Sequence, residues 1–147
     1  MSIRQAVQDA IKDAMKSKNQ ARLECLRMAK GALLLVEKAG AKDVELTDDE
    51  AAAALRAEVK KRQSSIETYR ELNKPDEVAG LEVEISILNE FLPKQLGEAD
   101  LEAKIRAFLA EHPDMNHAGK LTGAMKKELG DLADSRLLNE ICKKIVG

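Results

Sequence analysis

The chain has 147 residues, 44% of them hydrophobic and 34% charged, with a formal net charge of −2. That balance is too apolar for a disordered chain, and the charge excludes a generally basic nucleic-acid binder. Aromatic residues make up 2% and tryptophan is absent, so the core must be aliphatic, built largely from residues that favour helix.

In chain order, the first predicted helix runs from Ser2 to about Lys16, with Ile3, Val7, Ala10/Ile11 and Ala14/Met15 at helical spacing. Ser17-Lys18-Asn19 breaks it. A second helix follows from about Gln20 to Ala39, its apolar stripe carried by Leu23, Leu26, Ala29 and Leu33, with Gly40 as its stop. A loop is expected over 41–46. Thr47-Asp48-Asp49-Glu50 then reads as a capping box, in which the threonine hydroxyl accepts from the backbone three residues on and Glu50 reaches back. The helix it opens extends to about Leu72, with Leu55, Val59, Ile66 and Tyr69 on one face. Asn73-Lys74-Pro75 ends that helix and starts a fourth, with Pro75 in the first turn, where no N–H is missed. Val78, Leu81, Ile85, Leu88 and Phe91/Leu92 line its face up to Pro93.

Pro93–Gly97 is the boundary candidate. Three shorter helices are expected after it. The first opens at Gly97-Glu98 and carries Leu101, Ile105 and Phe108. The second is capped by Asn116, carries Leu121, Met125 and Leu129, and stops at Gly130. The third is capped by Asp134 and carries Leu137/Leu138, Ile141 and Ile145. The expected fold class is all-α: an N-terminal domain of about four helices over residues 1–95, then a C-terminal three-helix bundle over 96–147. No apolar run reaches the ~18–20 residues of a membrane span. The N-terminus lacks a signal-peptide apolar region, and the two cysteines fit a reducing cytoplasm.

Charge is uneven along this plan. Residues 1–42 hold nine Lys/Arg against four Asp/Glu, and residues 43–50 hold five acids and no base. Residues 51–95 and 96–147 each come to −1. Any cationic surface is therefore local. Cys25 and Cys142 fall on apolar helix faces, far from each other and from the only histidines, His112 and His117. No CxxC pair or Cys/His cluster points to a metal, and no phosphate-binding loop or nucleophile motif is present, so neither cofactor nor metal is expected. Paired carboxylates such as Glu82/Glu84 read as solvated faces.

Two sets of cations are the candidate contacts. Arg62 shares a stripe with Val59, Ile66 and Tyr69, so its guanidinium must snorkel, pair with an acid on a neighbouring helix, or meet a partner. Lys60 stands beside it on the polar face. In the last bundle, Lys120, Lys126, Lys127, Arg136, Lys143 and Lys144 form a second set, part of which can converge on an RNA backbone.

Several segments then carry a resemblance. Leu26-Arg27-Met28-Ala29-Lys30-Gly31-Ala32-Leu33, Lys61-Arg62-Gln63-Ser64-Ser65-Ile66-Glu67 and the acidic-aliphatic stretch from Glu82 to Leu96, closed by Leu92-Pro93-Lys94-Gln95-Leu96, are similar in order and spacing to the YqeY family. Gly119-Lys120, Gly123-Ala124-Met125 and Leu137-Leu138-Asn139 extend the match to the C-terminus. The turn from Gly130 to Arg136 departs from the family's, with Asp131 where a basic residue is usual. The resemblance implies a small cytosolic all-α protein. Its C-terminal domain would resemble the tail domain of GatB, a subunit of the glutamine-dependent tRNA amidotransferase, which helps engage tRNA. It also implies a family class of carbon–nitrogen ligases with glutamine as amide donor, with no catalytic residue to carry over. Three readings follow: a tRNA-associated accessory or binding module, a helical protein–protein interaction module, and an amide-transferring enzyme. The partners implied are tRNA or a translation-related protein.

Overall fold

A computed structural model describes residues 2–40 and 44–147, so the loop expected over 41–46 lies partly outside the described residues. Among the described residues there are seven α-helices, one 3-10 turn and no strand. The chain divides into two compact units, Met1–Leu92 and Pro93–Gly147.

The first unit holds α1 (Ile3–Lys16), α2 (Gln20–Ala39), α3 (Asp48–Glu71) and α4 (Pro75–Asn89). Three of the four starts are set by side chains that satisfy orphan backbone N–H groups: the Ser2 hydroxyl accepts from Gln5, the Asn19 carbonyl from Arg22, and Thr47 forms the full capping box with Glu50. Lys74 offers α4 no such bond, and Pro75 at its first position removes one of the donors. Lys18 and Asn73, in the two tight connections, both take φ of 58°. Asn73 suits that left-handed conformation because a short polar side chain tolerates it.

α2 packs against all three other helices of this unit. Its buried face of Leu23, Cys25, Leu26, Ala29 and Leu33 meets Val7, Ile11 and Ala14 of α1, Leu55 and Val59 of α3, and Ile87 and Leu88 of α4. α4 stops at Asn89, short of Pro93. Its last turn tightens, with Glu90, Phe91 and Leu92 each donating to the carbonyl three residues back at 3.2 Å.

The second unit holds α5 (Glu98–Glu111), α6 (Ala118–Leu129), a 3-10 turn at Gly130–Leu132 and α7 (Ser135–Val146). α7 packs on both α5 and α6 around a core of Leu101, Ile105, Leu121, Met125, Leu138 and Ile141. Gly130, at φ 55° and ψ −127°, ends α6 in a conformation closed to side-chain-bearing residues. The turn it opens fastens the start of the unit: Leu96 N–H donates to the Leu132 carbonyl at 2.8 Å, and the Gln95 amide to the Asp131 carbonyl at 3.1 Å.

The cap of α6 differs from the sequence reading. His117, not Asn116, holds that place, its Nδ1 accepting from Gly119 N–H at 3.2 Å. An imidazole nitrogen reaches the backbone two residues on, as a shorter capping side chain does. His112 stacks on Phe108 with ring centroids 4.4 Å apart, so both histidines have local roles at the ends of α5 and α6.

Candidate nucleic-acid interface

On α6, Leu121, Thr122 and Met125 are buried, which turns Lys120 and Lys127, seven residues apart, to the opposite side. Lys126 lies on one flank. On α7, Leu138, Ile141 and Cys142 are buried, and Arg136 and Lys143 share the outward side, with Lys144 on a flank. All six cations are exposed. Arg136 Nε lies 3.7 Å from Glu140 Oε1, both side chains being more than half exposed, so this pair contributes little and leaves the guanidinium accessible. From Ala118 to Gly147 there are six Lys/Arg against four Asp/Glu, whereas residues 93–117 hold three against five. The C-terminal half of the unit is thus its cationic half.

The helices meet at a polar contact. The Thr122 hydroxyl donates to the Ala118 carbonyl at 2.7 Å and lies 3.5 Å from Asn139 Oδ1. Cys142 adjoins it: burial pushes its thiol up, and the bond with Thr122 partly offsets that. Sequence reasoning did not single out Thr122 or Asn139 as functional. The only available signal was Asn139, a polar residue ending the Leu137-Leu138-Asn139 run.

The first unit treats its two candidates differently. Lys60 is exposed. Arg62 is 6% exposed and bound on several sides. Its Nη1 donates to the Glu58 carbonyl and to Glu58 Oε2, both at 3.0 Å. Its Nε lies 3.4 Å from Glu84 Oε1 on α4, without the alignment of a hydrogen bond. This is the inter-helix pairing that the stripe position anticipates, and it makes Glu84 an inward partner where the sequence reading had a solvated face. Nearby, Arg22 of α2 grips Glu90 through two bonds of 2.6 and 3.0 Å, and that hydrogen bonding raises the Arg22 pKa. The Cys25 thiol points at the Glu84 carbonyl, 3.8 Å away, and burial pushes its pKa up. The cluster ties α2, α3 and α4 together.

Both thiols are buried and free, and a thiol held protonated is a poor nucleophile. Among the described residues no three His, Cys, Asp or Glu gather as metal ligands, and no helix is long and apolar enough to cross a membrane.

A family model described as "Yqey-like protein" matches residues 4–146, nearly the whole chain. No curated protein matches it. The chain belongs to the YqeY family.

Proposed function

We propose that this member of the YqeY family is a tRNA-associated accessory module that binds RNA through its C-terminal unit and performs no bond chemistry on it. The observation that carries the reading is the set of six exposed cations on α6 and α7, in a chain whose net charge is −2. Such a charge distribution favours contact with a polyanion over one local surface while the rest of the molecule repels it. The family resemblance points to tRNA as the RNA class. Titrating the protein against tRNA at several salt concentrations tests this. A protein neutralising several phosphates shows log K falling with log salt at roughly 0.7–0.9 per contact. Absence of binding at low salt overturns the reading.

A second reading, a helical protein-interaction module, draws on α2. Met28 and Leu35, seven residues apart on one face, are 56% and 72% exposed. Partners that persist in a pull-down after nuclease treatment favour it over the first. Amide transfer from glutamine, the chemistry of the family's class, needs an accessible nucleophile, and neither buried thiol meets that need. Release of glutamate from glutamine in the presence of misacylated tRNA restores that reading.

A further inference from the structure

α6 and α7 join along two seams. One is apolar and closed, with Leu121, Met125, Leu138 and Ile141 buried. The other holds the part-buried contact between Thr122 and Asn139, with exposed residues on either side of it. Helix geometry dictates what borders that contact, because residues three and four apart share a face. One turn before and after Thr122 stand Gly119 and Lys126. One turn before and after Asn139 stand Arg136 and Lys143. All four are exposed. Gly123, beside Thr122 on the outward side, has open space where a Cβ would stand.

We propose that this second seam holds the sugar–phosphate backbone of an RNA strand, a proposal that rests on the RNA-binding reading and assigns it a surface. Cations line both walls, Lys126 on α6 and Arg136 and Lys143 on α7. The one acid beside them on these walls, Glu140, stands a turn from Arg136 in a long, exposed pair. Gly123 puts no side chain in the way, so a strand approaches the α6 backbone closely there, whereas the His117 ring stands 3.4 Å from where a Cβ of Gly119 would be. Asn139 lies 3.5 Å from Thr122, whose hydroxyl proton goes to the Ala118 carbonyl, and its amide carries N–H groups that a phosphate oxygen can accept from. Charge alone would scatter contacts over all the exposed lysines. The open space at Gly123 and the polar floor concentrate them here.

The test uses the full chain and unfractionated tRNA, followed by fluorescence anisotropy between about 50 and 200 mM salt. The triple variant Lys126→Ala, Arg136→Ala, Lys143→Ala is expected to lower the log–log salt slope by about two and low-salt affinity at least tenfold. A charge-matched control, Lys12→Ala, Lys94→Ala, Lys104→Ala, removes exposed cations elsewhere and is expected to keep the slope. Gly123→Leu changes no charge and replaces a poor helix former with a good one. It is expected to raise the thermal midpoint and weaken tRNA binding about tenfold. If the wild type binds tRNA while the seam variants bind like it, or like the control triple, the seam is overturned and RNA binding stands. If the wild type does not bind at low salt, the RNA-binding reading falls, and the seam with it.

Discussion

Arg62 occupies a position on α3 where the apolar periodicity asks for an aliphatic side chain, and it is buried, only 6% exposed. The desolvation of its guanidinium is offset by the charge-assisted bond to Glu58 and the proximity of Glu84. Arg62→Ala leaves those two carboxylates facing each other. Removing one partner of a buried pair costs ~3–5 kcal/mol. Here Glu58 and Glu84 keep 19% and 30% side-chain exposure, so a loss of about 2–3 kcal/mol is expected in urea unfolding. Arg62→Met with Glu58→Leu and Glu84→Leu is expected to recover most of it, since apolar side chains of similar volume replace all three ions. The cysteines yield a second prediction. Burial raises both thiol pKa values above the ordinary 9.0, so the folded chain keeps these protons at pH values where the unfolded chain has lost them. Their contribution is complete below the ordinary thiol range and declines as pH climbs through 9.0 toward the raised folded values. Unfolding midpoints between pH 8 and 10 check the direction. Thiol-reagent labelling at pH 8 is expected to be slow for the native chain and fast in denaturant.

The helix starts show how local chemistry sets an element. Thr47 accepts from Glu50 N–H at 3.1 Å, Glu50 returns the contact to the Thr47 N–H at 3.3 Å, and the neighbouring Asp48 accepts from Ile3 N–H at 2.9 Å, tying the start of α1 to the start of α3. Thr47→Ala is expected to destabilise the first unit by about 1 kcal/mol, with Thr47→Gly costing only a few tenths, as read from thermal midpoints. Such caps are written in consecutive residues, which is why the starts of α1, α3 and α7 are legible from sequence. The start of α6 is less so, because His117 caps through a ring nitrogen and Asn116 beside it is the commoner capping type. The 3-10 turn was not legible at all. Gly130 ends the helical period, and what holds the turn is the Leu132 carbonyl receiving Leu96, distant in sequence. The candidate site divides the same way. Exposure of the lysines follows from periodicity within α6 and α7, whereas the Arg62–Glu84 pairing and the Thr122–Asn139 contact depend on which helices become neighbours.

Among the described residues, apolar burial is gathered into two cores rather than one. Leu26, Leu55 and Leu88 are fully buried in the first, and Leu101, Ile105, Leu121 and Leu138 in the second, each cluster closing on side chains of its own unit. Truncating a fully buried leucine to alanine costs ~2–5 kcal/mol, because the transfer free energy is lost and a cavity remains. With separate cores, that cost should stay where it is incurred. Leu26→Ala is expected to accelerate amide hydrogen exchange within Met1–Leu92, by roughly thirty- to several-thousand-fold at the slowest amides, while Pro93–Gly147 exchanges as before. Leu138→Ala should do the reverse. Uniform acceleration in either variant would mean that the chain opens as one cooperative body. The distinction bears on function, since the cations of α6 and α7 stand on the second core alone. A chain weakened by Leu26→Ala should therefore keep its affinity for tRNA, and one weakened by Leu138→Ala should lose it in proportion to the opened fraction of that unit, a contrast that exchange and binding measured on the same samples resolve.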